Sequence, residues 1–561
     1  MEFAREFAGV RIVFAALAAI FLGGAAEAQF VHAGPEAGAA RVEGSYRVAG
    51  TIVSGGDGSP LGRARVSLAD TRDRKKAEWM ITAADGRFEF RAVPAGKYAL
   101  EGAKKGFRES GYQWHEGFST AIVTGAGLET ENLVLQLIPL GAVSGKVIDE
   151  VGEGVRNAQV KLYGENQQRG LDRVVPSGFA TTDDEGRYEF PGLVPAKYYL
   201  SVTAQPWYAV HPPSENQNGV RVPVETVSRA LDVAYETTFY NGATESNGAT
   251  PISIEKGERA TADIHLSPAP ALHLFVRMPA DQQRFQMPVL STREFGQEQA
   301  VQAEFVGGNE TGEMEMVGVP AGKYLIGKPS RSGTVIAAGE MNAAKDGQRV
   351  EPVAEEISGR VKVSLKTARG EPLPKGMHLS LRNEGRQTIA WVEVDGNDEA
   401  TFNYVPAGKY AVLVNSANVA PYTIGRMTVG GIAVEGHDIT VAEGASLELN
   451  ATLMQGRVSV EGVVNKAGRP ASGVMVALVP KEPRTHPERF RRDQTDLDGT
   501  FHVGEILPGS YTLIAVEDAW GFAWMKQGVL EKYLEHGQNL TIGEMMNGTV
   551  VLPDAVEVQS R

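Results

Sequence analysis

The chain has 561 residues, a formal net charge of −14, and apolar and charged fractions of 42% and 22% that are ordinary for a globular protein. The charge is spread without a basic tract, which argues against nucleic acid as a partner. There is no cysteine, so disulfides, thiolate metal sites, cysteine nucleophiles and lipid attachment through a cysteine are excluded.

The N-terminus reads as an export signal over residues 1–28. Ile12 to Ala26 is apolar, and Ala26-Glu27-Ala28 fits the small-residue cleavage pattern, so the mature chain is expected to begin at Gln29. The flank before the run mixes Glu2 and Glu6 with Arg5 and Arg11; translation from near Val10 would leave Arg11 alone and fit the pattern better. The run is short for a membrane span and no second one follows, so no transmembrane segment is expected in the mature chain. Residues 29–44, rich in Ala and Gly, read as a flexible leader.

From residue 45 the pattern is one of short strands. Tyr46 to Val53 reads as a strand, Gly55 to Pro60 as a turn, and Ala64 to Leu68 alternates. Asp85-Gly86 is a tight-turn dipeptide; Phe88 and Phe90 then alternate with charged residues, Pro94-Ala95-Gly96 turns again, and Tyr98 and Leu100 start the next strand. Leu133, Leu135 and Leu137 close the unit at period two.

This unit recurs. Glu185-Gly186-Arg187-Tyr188-Glu189-Phe190 leads to Val194-Pro195-Ala196-Lys197-Tyr198, and Asp498-Gly499-Thr500-Phe501-His502-Val503 leads to Leu507-Pro508-Gly509-Ser510-Tyr511. Weaker copies keep mainly the second half, at Val319 to Leu325 and Val405 to Val412. The spacing suits a small β domain better than a solenoid unit. Five modules are expected, at 45–140, 141–268, 269–356, 357–455 and 456–561, the third the most degenerate. Ser267-Pro268-Ala269-Pro270 reads as a short stiff linker, and Trp520 to Leu534 as the place for a helical turn. The fold class is all-β.

Each full module reads Gly-x-Val, turn, Ala-x-Val-x-Leu, then Asp-Gly-x-Phe-x-Phe, then Val-Pro-Ala-Gly-x-Tyr-x-Leu. This resembles the bacterial carboxypeptidase regulatory-like domain, clearly in modules one, two and five, partly in four and weakly in three. The resemblance implies transthyretin-like (prealbumin-like) β-sandwiches, related to collagen-adhesin B-type repeats and to a carbohydrate-binding, starch-binding-like fold. It implies a tandem array of about five such modules behind a signal peptide, in an exported protein: periplasmic, cell-surface or secreted. It does not import peptidase activity, because the histidines are scattered and form no His-Glu-x-x-His motif.

Candidate sites are few. Asp493, Asp496 and Asp498 before Gly499, and Asp183, Asp184 and Glu185 before Gly186, faintly suggest calcium loops but lack a full ligand set; turn chemistry is the expected reading. No Gly-x-Ser-x-Gly elbow occurs. Catalytic residues, cofactors and metal ligands are therefore expected to be absent. Aromatic clusters after the Tyr strand are the better lead: Tyr112 and Trp114, Trp207 and Tyr208, and Trp520, Phe522 and Trp524. They would serve either as a ligand platform or as filler at module junctions, the second being preferred. The expected function is a non-enzymatic scaffold, spacer or binding protein of the cell envelope or exterior, with carbohydrate binding by the aromatic loops as the alternative. The partner is unknown, a glycan or an envelope protein being the classes in view.

Two geometric expectations follow. At least one of Gly96, Gly322 and Gly408 should take positive φ in its turn. Short proline-bearing connections such as Ile138 to Ala142 should hold the modules in an elongated rod of nearly independent units.

Overall fold

The computed structural model describes residues 46–561 apart from 126, 169–170, 218–219, 223–227, 278–288, 302, 309–312, 330–334, 351–357, 384–387, 417–421, 435, 484–485, 525 and 527. The expected signal peptide and leader lie outside the described residues.

The chain is a tandem array of β-sandwiches. The first shows the plan. One sheet holds β1 (Tyr46–Ser54) between β4 (Arg87–Val93), antiparallel, and β8 (Leu133–Leu137), parallel. The facing sheet holds β2 (Arg65–Asp70) between the hairpin partner β3 (Asp73–Ile81) and β5 (Gly96–Ala103), with β6 (Ser110–Gly111) and β7 (Ile122–Thr124) at the far edge. Val48, Ile52, Val66, Leu68, Phe88, Phe90, Leu100 and Leu135 fill the space between, as the period-two alternation requires.

The same pairing recurs four more times. Gly141–Ile148, Leu272–Arg277, Gly359–Thr367 and Val458–Lys466 each lie antiparallel to the strand ending at the Val-Pro turn (Leu-Pro in the fifth), and parallel to a closing strand. A parallel closing strand needs a crossover, which the intervening second sheet supplies. Each unit has its own apolar core.

Two features repeat in all five and explain the motif. The first is a β-bulge one residue before the turn, at Ala92, Gly192, Gly318, Tyr404 and Glu505, with φ of 56°, 74°, 72°, 62° and 55°. The extra residue of the bulge takes the left-handed conformation. Gly96 and Gly322 therefore stay at negative φ, and Gly408 alone turns positive, at 159°, close to extended. The second is the tyrosine. Tyr98, Tyr198, Tyr324, Tyr410 and Tyr511 are all buried, and each hydroxyl donates to the carbonyl four residues earlier, at 3.0, 2.8, 2.7, 3.0 and 2.6 Å. A phenylalanine would leave that carbonyl without its partner.

One expectation is corrected. Pro268–Pro270 is not a free linker: it pairs antiparallel with Val233–Tyr235. Proline lacks an N–H but its carbonyl still accepts, and an edge strand tolerates the loss. The expected helical turn is present as one short helix, Glu531–Leu534.

Candidate functional site: the aromatic loops and the contact between the first and fifth sandwiches

The aspartate turns are occupied by the protein's own donors. The Asp183 carboxylate accepts from the backbone of Glu185 and Arg187, at 2.9 and 2.8 Å. Asp498 accepts from Thr500 N at 3.1 Å and Asp493 from His502 N at 2.7 Å. These are turn and ladder closures, the chemistry expected of Asp-Gly hairpins.

Asp496 does something else. Its carboxylate accepts from Ala121 N at 3.1 Å and from Lys97 Nζ at 2.6 Å, both in the first sandwich. Around it, Leu497 N donates to Ala121 O at 3.0 Å and Thr120 Oγ1 donates to Thr495 O at 3.1 Å. The Gln494 amide, buried, donates to Gln113 O at 2.7 Å and Thr120 Oγ1 at 2.8 Å, and its oxygen meets His115 Nδ1 at 3.0 Å. Arg492 pairs with Glu116 at 3.1 Å. The first and fifth sandwiches are thus joined directly, across some 375 residues of sequence. A rod with its modules in linear order cannot make this contact, so that expectation is corrected.

The aromatic loop of the fifth sandwich completes the joint. Trp520 is 6% exposed. Its ring stacks on His115 with centroids 5.3 Å apart and 4° between planes, and tilts against Phe118 at 5.2 Å. Trp524 stacks on Phe490 at 3.9 Å and Phe522 leans on Tyr533 at 5.6 Å, both buried. With Met475, Val479 and Ile514 they form a second core on the outer face of the sheet.

The other aromatics have different surroundings. Tyr112 packs against the core of the first sandwich. Trp114 lies under the Arg108 guanidinium, 3.9 Å from ring centroid to Cζ. Tyr208 donates to the Glu150 carboxylate, whose other oxygen accepts from Tyr235 at 3.0 Å. Trp207, edge-on to Tyr208 at 5.8 Å, is 84% exposed.

A second polar contact joins the second and third sandwiches. Buried His273 sits between Glu315 at 2.7 Å and Asp232 at 2.9 Å; Asp232 also meets His211 at 2.8 Å, and Ser214 Oγ donates to Glu315 at 2.8 Å. Burial disfavours the imidazolium, but hydrogen bonds to Glu315 and Asp232 outweigh it and push His273 up to about 9. The serine faces a carboxylate and not the imidazole, so the set lacks the nucleophile–base hydrogen bond of Ser–His chemistry. The same two sandwiches also meet where Glu294 accepts from Tyr163 and Ser201, both at 2.7 Å.

The sequence reading did not anticipate His115, Phe118, Gln494 or Asp496 as joint residues. Asp496 looks like any turn aspartate, and its second role depends on a surface hundreds of residues away. His115 and Phe118 directly follow Trp114 in the flagged loop, which was the available signal.

Residues 47–131 and 142–267 match the family model of the carboxypeptidase regulatory-like domain, and residues 454–541 match that of the second beta sandwich domain of BOS complex subunit NOMO1-like proteins. Among solved structures, the Bacillus anthracis TIE protein is similar at 12% identity and a TM-score of 0.17, over 74% of this chain and 75% of that one. A Streptococcal ancillary pilin is similar at 13% and 0.20, over 50% and 98%, and BcpA, the major pilin subunit of Bacillus cereus, at 13% and 0.14, over 56% and 99%. Likeness this distant says nothing of function. No curated protein matches the chain.

Proposed function

We propose that this chain, which carries carboxypeptidase regulatory-like sandwiches over residues 47–131 and 142–267, is an exported, non-enzymatic scaffold or binding protein of the cell envelope or exterior, built of the five modules bounded as above. The observation that carries the reading is where the recurring polar groups go. The Tyr hydroxyls and the carboxylates of Asp183 and Asp498 are used within their own module, and Asp496, Gln494 and His273 in contacts between modules. Groups committed in this way hold a shape. Export is tested by cell fractionation with N-terminal sequencing: the mature protein should begin at Gln29. Full-length protein held in the cytoplasm would refute it.

Carbohydrate binding is favoured by the exposed Trp207 ring set edge-on to Tyr208. Aromatic faces of this kind stack on apolar sugar faces. On a glycan array, Trp207→Ala should lose any signal the native chain gives while melting unchanged; a signal that survives the substitution rules this ring out.

A further inference from the structure

Among the described residues, one cluster has donor atoms spaced for a metal ion: His437, His486 and Glu488, whose ligand atoms all lie within 4.8 Å of one another. His437 belongs to the fourth sandwich, in the turn before the strand Asp438–Val441. His486 and Glu488 belong to the fifth, at the 3-10 turn Pro487–Arg489. Glu488 Oε1 is 3.3 Å from His486 Nδ1 and 3.7 Å from His437 Nε2. Donors bound to one tetrahedral zinc at about 2.0–2.1 Å stand about 3.3 Å apart, close to both separations from Glu488.

A second observation points the same way. His437 is 8% exposed, and its Nδ1, His486 Nδ1 and Glu488 Oε1 are buried with no hydrogen-bond partner among the described residues. Buried polar atoms are ordinarily satisfied, and an unsatisfied one on each of three neighbouring potential ligands asks for a ligand. Arg489 competes for the carboxylate: its Nε lies 3.8 Å from Oε1 but is itself buried without a hydrogen-bond partner.

We propose that His437, His486 and Glu488 bind a divalent cation of the zinc class, which ties the fourth sandwich to the fifth. Two imidazoles and a carboxylate are borderline ligands suited to zinc rather than to calcium or magnesium. Three protein donors leave a fourth position for water.

The test is titration of the full, tag-free chain with Co²⁺ followed by Zn²⁺. One equivalent of Co²⁺ should give visible ligand-field absorption, displaced by one equivalent of Zn²⁺, and zinc should raise the melting temperature reversibly to a chelator. His486→Ala and Glu488→Gln, at partly exposed positions where the fold should survive, should each weaken binding at least tenfold, whereas exposed His502→Ala should change nothing. Absence of absorption in the native chain, or equal affinity in both cluster variants, would overturn the proposal, the latter by placing the ion on other histidines.

Discussion

At the bulge, the five copies of the module do not share a residue type, only a conformation. Ala92, Tyr404 and Glu505 occupy left-handed backbone that Gly192 and Gly318 occupy without a Cβ penalty. The two glycines differ in what a side chain would meet. A Cβ at Gly192 touches nothing, whereas one at Gly318 would stand 2.8 Å from the His211 ring. Gly192→Ala should therefore cost about 1 kcal/mol, from backbone alone. Gly318→Ala should cost more, and should disturb the contact between the second and third sandwiches as well. Chemical denaturation of the two variants checks the order; equal costs would mean that His211 gives way freely. Gly96→Val, by contrast, should be mild, because Gly96 is at negative φ and the nearest atoms to its Cβ would be those of the Tyr98 ring, from 3.4 Å.

Among the elements, the loop after the last Tyr strand separates what the sequence showed from what it hid. Strand alternation, Asp-Gly turns and the Tyr motif are local signals, and they were legible in modules one, two and five. The Trp520 loop was legible as aromatic but not as buried, because its covering residues, His115 and Phe118, lie in the first sandwich. Nor did local pattern distinguish Trp524, which is stacked on Phe490, from Trp207, which is in solvent. Pro268–Pro270 was misread because prolines suggest a spacer, and only its partner Val233–Tyr235 makes it a strand. Truncating buried Trp520 to alanine should destabilise the fifth sandwich by about 3–5 kcal/mol. His115→Ala should cost less, and a double-mutant cycle should return about 0.5–1.5 kcal/mol of coupling. A coupling of zero would mean that the stacked pair is adjacent without being energetically joined.

For the molecule as a whole, contacts between sandwiches carry charge and so carry pH dependence. His273 titrates near 9 in the folded state against an ordinary 6.5, so its contribution is full below about 6.5 and is lost as pH rises through 9. Burial alone would raise Glu315, but hydrogen bonds from His273 and Ser214 hold it below the usual carboxylate range, and its contribution is lost only as pH falls below that range. Melting should therefore move down between about pH 6.5 and about pH 9, with His211, Asp232 and Asp346 as the other titratable groups of the contact. In His273→Gln this decline should be absent; if it persists, another group is responsible. The joint of the first and fifth sandwiches has a cleaner test, because the chain has no cysteine of its own. Cysteines placed at the paired surface residues Glu116 and Arg492 should be bridged by a short bismaleimide within one chain, and failure to bridge would show the two sandwiches apart in solution. The joint also acts as a gauge. Its two halves are tethered through every intervening module, so their effective concentration depends on how stiffly each intermediate contact is held. Loosening any one of those contacts, even far from Trp520, should widen the ensemble of tether lengths and lower the occupancy of the closed state. The rate of that single cross-link would then report, from one pair of positions, on the rigidity of the entire array.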